Sequence, residues 1–430
     1  MKPYQKGILI KKQRINMKKI VLINILLSLA ALFACTQEMQ EESTVCENCV
    51  IWGARPMASI DDSRVQIYWE NPMPYMLASV PTYNPDEFDI FISESNMSNF
   101  QKVIELKTDE YSYTIDKLQN GKPYFFYVVS KKEGFESLTS VTIMVIPNKR
   151  KEFEILQTIE KTHTIEDVSL AHKLDKIAYV DGFYAGVIIS NMDGSEKELV
   201  NTNSHGPSWS PENDKIVFHT KDWTKPATQI VLYDYNTKTT TPLTDGTRNS
   251  YNPVFSENGE SILFEAAKDT VTSNGLVQIS SEVEAYDIRL IDMKTLESFQ
   301  ITDISSVSAM LARKPCWIDN DRFLFSAFEQ DNYELFESSI SGRQINKVFD
   351  SKWDEFSPSI SPDKKKIAFI SNRSGTNAVW IYNIDDKTYT QISGYSDTKS
   401  MGAHEKIQWL NNSSIIFTVN SSQLVKQKIE

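Results

Sequence analysis

Apolar and polar positions alternate along most of this chain in short bursts, separated by turns rich in Ser, Asn, Asp, Gly and Pro. That texture predicts many short, half-buried strands rather than helices. In the C-terminal two-thirds the bursts recur in a fixed order. Pro207 opens PSWSPENDKIVFHT, Pro253 opens PVFSENGESILFEA, Pro315 opens PCWIDNDRFLFSAF and Pro358 opens PSISPDKKKIAFIS, at separations of 46, 62 and 43 residues. After each proline come a strand, a polar turn, an apolar strand, a third strand (IVLYDY, IRLIDM, LFESSI, VWIYNI) and a fourth (TTTPLT, SFQIT, NKVFD, YTQIS). Repeats of this period, four strands each, predict an all-β propeller.

Two further copies lack the proline. Aligning Asp175-Lys176-Ile177-Ala178 with Asp214-Lys215-Ile216-Val217 puts Val168 at the proline position, and EKIQWLNNSSIIFTV puts Lys406 there. The last copy supplies only three strands. The segment Phe153 to Ile159 is expected to complete it and close a ring of six blades, which removes open sheet edges. Residues 269–284 form an insertion in blade three, a tolerated excursion or a functional loop.

Ser357 to Gly375, SPSISPDKKKIAFISNRSG, resembles the TolB-like, WD-type propeller repeats of bacteria, usually close to SPxxSPDGxxIAFxSxRxG. Lys364 stands where that pattern has Gly, so the turn either bears a left-handed lysine or changes type. The resemblance covers roughly residues 153–430 and implies a propeller whose ligands meet the mouth of its central channel.

Upstream, Val65, Ile67 and Trp69 alternate, as do Phe88, Ile90 and Ile92. Leu118, Tyr124 six residues later, and the alternating Phe126 and Val128 resemble a fibronectin type III sandwich over residues 50–148, with the Tyr124 hydroxyl expected to bond back to the chain just upstream. Met73 to Pro85, rich in proline, reads as an irregular connection. Such modules act as spacers or binding surfaces.

Charge adds a compartment. Residues 1–34 hold seven basic side chains and no acidic one, and end in an apolar run at Cys35. Basic, then apolar, then a small residue is the order of an export signal, and the run is short for a membrane span. Leu32-Phe33-Ala34-Cys35 resembles a lipobox, which makes Cys35 the expected lipidated residue and the membrane the first partner. Met17 is an alternative start. The next residues, 35–49, carry an acidic tether that resembles the surface-export signal of some Bacteroidetes lipoproteins, or is simply a solvated linker. An outer-membrane location, periplasmic or surface-facing, follows from this reading. Without the leader the formal charge falls from −12 to −19, which argues against a nucleic-acid partner. Cys46 and Cys49 are read as a disulfide staple of the tether, one CxxC alone being a weak argument for zinc. Cys316 reads as a small buried hydrophobe.

No GxSxG, Walker, GxGxxG or HExxH motif is present. Two positions before the proline or its equivalent stand Glu166, His205, Tyr251, Arg313, Phe356 and His404, the side chains expected around the channel mouth. His404, Glu166 and His205 belong to neighbouring blades and form a set suited to a divalent metal. With five His in the chain, chance proximity is the stronger reading, so no metal or other cofactor is expected. The same ring suits plain binding, with flat faces from Tyr251 and Phe356 and cations from Arg313 and Lys314. Trp209, Trp317 and Trp409 share one strand position and read as packing between blades, while Trp223 and Trp353 are candidates for exposed contact. Two functions follow: an anchored binding or scaffold protein whose propeller takes a protein or glycan, and, as the alternative, a metal-assisted polysaccharide lyase.

Overall fold

The computed structural model describes residues 54–69, 85–94, 96–107, 110–132, 135–137, 139–159, 163–182, 186–222, 224–268, 285–307, 309–395 and 406–429. Cys35, Cys46, Cys49, most of the proline-rich connection, Trp223, the blade-three insertion and His404 lie outside the described residues.

Six four-stranded antiparallel sheets follow one another from Ile165 onward, five of them in simple sequence order. The sixth combines Gln408–Asn411, Ser414–Val419 and Gln423–Lys428 with Phe153–Thr158, which pairs antiparallel with Gln423–Lys428. The ring therefore closes by joining the first propeller strand to the last. The fold is a six-bladed β-propeller preceded by a β-sandwich.

Each blade buries its second and third strands most deeply, because these two have a ladder neighbour on both sides. Tyr179, Phe218, Phe264, Phe325, Phe369 and Phe417 occupy one equivalent place on the second strand, and all are fully buried. The tryptophans at the shared strand position bridge blades: Trp317 Nε1 donates to Val254 O (3.1 Å) and Trp409 Nε1 to Ser359 O (3.0 Å). The turns are also stitched across blades, as Asn213, Asn320 and Asn412 accept the N–H groups of Lys173, Asn258 and Asp363. Lys364 keeps the left-handed turn (φ 63°) despite its side chain.

The sandwich sets Pro56–Asp61, Arg64–Trp69 and Ser112–Asp116 against a sheet built on Glu87–Ser93 and Tyr124–Lys132. Val65, Ile67, Trp69, Phe88, Ile90, Phe126 and Val128 fill its core. The Tyr124 hydroxyl accepts the Gln119 N–H at 2.9 Å.

Rather than standing off as a spacer, the sandwich docks on blade five. Ala58 N donates to Ser374 O (2.9 Å), Ile60 N to Gly394 O (3.0 Å) and Met144 N to Arg373 O (2.6 Å). Phe125, Met144 and Ile146 share one apolar cluster with Phe369, Trp380 and Tyr382 of that blade. Trp353, expected as an exposed contact, is half-buried and donates from Nε1 to Thr142 O (3.1 Å). Beneath the seam Arg373 is almost wholly buried, paired to Glu355 at 2.5 Å. Its guanidinium is also ringed by Tyr389, Trp380, Phe369 and Trp353 at 4.4 to 5.4 Å. A buried charge of this kind is tolerable only with such partners.

Gly375 has φ +87°, and a Cβ there would fall 2.2 Å from Pro56 O. Gly375→Ala should therefore lower the stability of the full chain by at least about 1–2 kcal/mol from backbone strain alone, plus the seam contacts it displaces. Thermal unfolding checks this, and an unchanged transition would mean the seam contributes nothing.

Candidate functional site

The innermost strands of blades one to five carry the same irregularity. In blade one Glu166 pairs with Val180 and Ser169 with Ala178, so Asp167 and Val168 together face the single residue Tyr179. The same two-against-one step lies between His205 and Ser208, Tyr251 and Val254, Arg313 and Cys316, and Phe356 and Ser359. These are β-bulges. Proline suits the second bulge position because no ladder N–H is needed there. The residue before the second bulge position is left-handed in blades one to five: Asp167 (φ 50°), Gly206 (62°), Asn252 (48°), Lys314 (49°) and Ser357 (48°). In blades two to five the following proline ring also keeps it out of the right-handed helical region.

The bulge decides which side chains reach the channel. Asn252, Lys314 and Ser357 line a central cavity of about 90 Å3, with Pro207, Pro315, Pro358 and Lys406 at the proline position and Ser169, Ser208, Val254, Cys316 and Ser359 one step on. From the sixth blade, the residues lining it are Lys406, Ile407 and Gln408. In blades one to five the residues two before the proline position pair with the second strand and lie off this cavity.

Among the channel-mouth residues read from the repeat, His205 stacks on His219 (5.6 Å), and Tyr251 meets His219 edge-on (5.1 Å). Tyr251 also touches Tyr286 (5.9 Å), over which Arg313 lies at 4.3 Å. These three therefore join in one arc across blades two to four. Glu166 accepts the Thr164 hydroxyl (2.9 Å), and Phe356 packs on Tyr333 (4.9 Å). Among the described residues no three His, Cys, Asp or Glu side chains come together as a metal site.

The groups that meet in the channel are others. Lys314 Nζ reaches across the ring from blade four to blade one and bonds Asp167 Oδ1 at 2.7 Å, with both side chains nearly buried. Burial alone would raise the Asp167 carboxyl, but Lys314 and Lys406 hold it below its ordinary value. Glu265, fully buried, accepts Asn252 Nδ2 (2.6 Å), Lys314 N (2.6 Å) and Arg313 (3.0 Å). His219 accepts the Asn252 N–H at Nδ1 (3.3 Å), and burial, reinforced by His205, pushes it down to about 3. At the other mouth Lys364 of blade five meets Glu257 of blade three at 3.3 Å. Gly206 leaves room for this network: a Cβ there would sit 2.9 Å from Asn252 Oδ1 and 3.0 Å from His219 Nδ1.

Lys406 is the exception. Its ammonium donates to Pro207 O (3.2 Å) and, among the described residues, has no carboxylate within ion-pair distance. Burial pushes it down to about 8 against the pull of Asp167, although the side chain stays partly accessible from the channel. The sequence signal for this site was present, since Lys406 occupies a proline position. The one-residue offset that brings in Asp167, Lys314 and Ser357 becomes visible only with the bulge.

A lysine whose folded value lies below its unfolded one makes the unfolded chain bind more protons between the two, so stability rises with pH there. Between about pH 8 and the ordinary lysine range, wild-type stability should rise relative to that of Lys406→Met. Denaturant unfolding across that range checks it; parallel pH profiles for the two proteins would contradict it.

No protein-family profile matches this chain, and no curated protein does. Solved structures similar to it include TolB from Acinetobacter baumannii, at 14% identity over 73% of this chain and 77% of that one, with a TM-score of 0.44. An oligogalacturonate lyase in complex with manganese is similar at 11% identity over 65% and 93%, with a TM-score of 0.45. A Bacteroides thetaiotaomicron protein of unknown function is similar at 10% identity over 89% and 98%, with a TM-score of 0.46.

Proposed function

We propose that this chain is a lipid-anchored cell-envelope binding protein, in which Cys35 carries the anchor and the propeller engages a protein or glycan partner. The sandwich, read as fibronectin type III-like, serves as a brace for the TolB-like propeller through its seam with blade five.

One observation carries the preference for binding over catalysis. A general acid or base needs a proton or lone pair directed at its substrate. Asp167, Glu265 and His219, the titratable groups best placed for that work, instead hold Lys314, Arg313 and Asn252. Ion pairs and hydrogen bonds that lock side chains together favour a preformed surface, which lowers the ordering cost of association.

Two readouts on intact cells test this reading. The N-terminal peptide from the membrane fraction should begin at a lipid-modified Cys35. Crosslinking should join the wild-type chain to an envelope partner that an Asp167→Asn/Lys314→Met variant loses. An unmodified mature N-terminus would remove the anchor. Manganese-dependent release of unsaturated uronate products by the purified chain would replace the binding role with a lyase.

A further inference from the structure

Among the described residues, two polar groups in the channel cavity lack the partners their burial requires. Ser357 Oγ is buried, lines the cavity and has no hydrogen-bond partner. Lys406 lines the same cavity with one hydrogen bond, to Pro207 O, for three N–H donors. An unsatisfied buried hydroxyl beside an under-used cation calls for an occupant with acceptor oxygens. Ser169 and Ser208 add two more hydroxyls on the wall. Each accepts a backbone N–H, from Trp209 and Phe255, and so keeps its own hydrogen to donate.

The charge count also asks for an anion. Asp167 is matched by Lys314 and Glu265 by Arg313, while Lys406, which feels Asp167 only at longer range, has no carboxylate of its own within ion-pair distance among the described residues. We propose that this cavity is a carboxylate-binding site, in which Lys406 and Ser357 donate to the oxygens of an acidic side chain presented by a polypeptide partner. This deepens the binding role proposed above and depends on it for its biological meaning.

Size selects the source of the carboxylate. In a cavity of about 90 Å3, at about 10–15 Å3 for each water-sized atom, there is room for about seven such atoms. The whole side chain of Asp or Glu, four or five heavy atoms, lodges inside, whereas a hexuronate of thirteen inserts its carboxylate and leaves its ring in the open mouth. Binding also couples to protons. Lys406 faces Asp167, Glu265, Lys314, His219 and the Cys316 thiol, and burial brings its own titration down to about 8. A bound carboxylate favours the ammonium, so affinity falls once Lys406 deprotonates.

Titration of the full chain with carbon-13 acetate, N-acetyl-aspartyl amide and glucuronate, followed by ligand NMR, tests the proposal. Acetate and the aspartyl amide should bind saturably, one to one, near neutral pH. Affinity should weaken by about tenfold per unit above pH 8, and glucuronate should bind more weakly than the aspartyl amide. Lys406→Met should weaken binding at least about tenfold and Ser357→Ala several-fold, with thermal unfolding and circular dichroism showing both variants folded.

No saturable acetate binding would mean that water alone fills the cavity, and unaltered binding by folded Lys406→Met would remove its central residue. Either overturns the site. Glucuronate binding as tightly as the aspartyl amide would overturn the polypeptide assignment in favour of a uronate. The broader role fails separately: an envelope partner crosslinked equally by wild type and Lys406→Met preserves the binding function and removes the pocket from it.

Discussion

Everything distinctive about the channel depends on one backbone constraint, the left-handed residue that begins each inner-strand bulge. Two residues must fit against one aromatic of the second strand, and a proline or its substitute takes the second place. The side chain before it is turned inward, out of the alternation a regular strand would impose. With Asp, Gly, Asn, Lys and Ser in that place in blades one to five, a ring of near-identical folds acquires an asymmetric, charged centre. Asp167 and Lys314 stand on opposite blades and so meet across the axis. Gly206, between Asp167 and Asn252 in ring order, gives the space that lets His219 and Asn252 approach.

Blade five shows the same economy in a structural role. It carries the fullest copy of the repeat, and three of its residues act at once. Arg373 pairs with one oxygen of Glu355 and sits within an aromatic cage, the Arg373 and Ser374 carbonyls accept N–H groups from the sandwich, and Gly375 lets Pro56 approach. The best match to the pattern is therefore also the seam between the two parts of the molecule.

Much of this was legible in the sequence. Strand order, blade number and the closing strand all follow from burial periodicity and repeat spacing, because these depend on local pattern. Tyr124 was legible for the same reason, since its partner Gln119 lies five residues away. The channel was not, because alternation assigns faces by counting in twos and a bulge changes the count by one. That shift takes Tyr251 and Arg313 into a stacked arc and brings Asn252 and Lys314 to the cavity. Trp353 was misplaced for a different reason: its partner, Thr142, lies 211 residues away, a separation on which local pattern is silent.

The account rests on Asp167 and Lys314 being held against each other across the ring. A double-mutant cycle measures this directly, comparing the unfolding free energies of Asp167→Asn, Lys314→Met and the double variant in the full chain. A nearly buried pair at contact distance should give a coupling of about 1–3 kcal/mol. Additive effects, with no coupling beyond about 0.5 kcal/mol, would mean that the two side chains do not meet and that the bulge does not organise the channel as described.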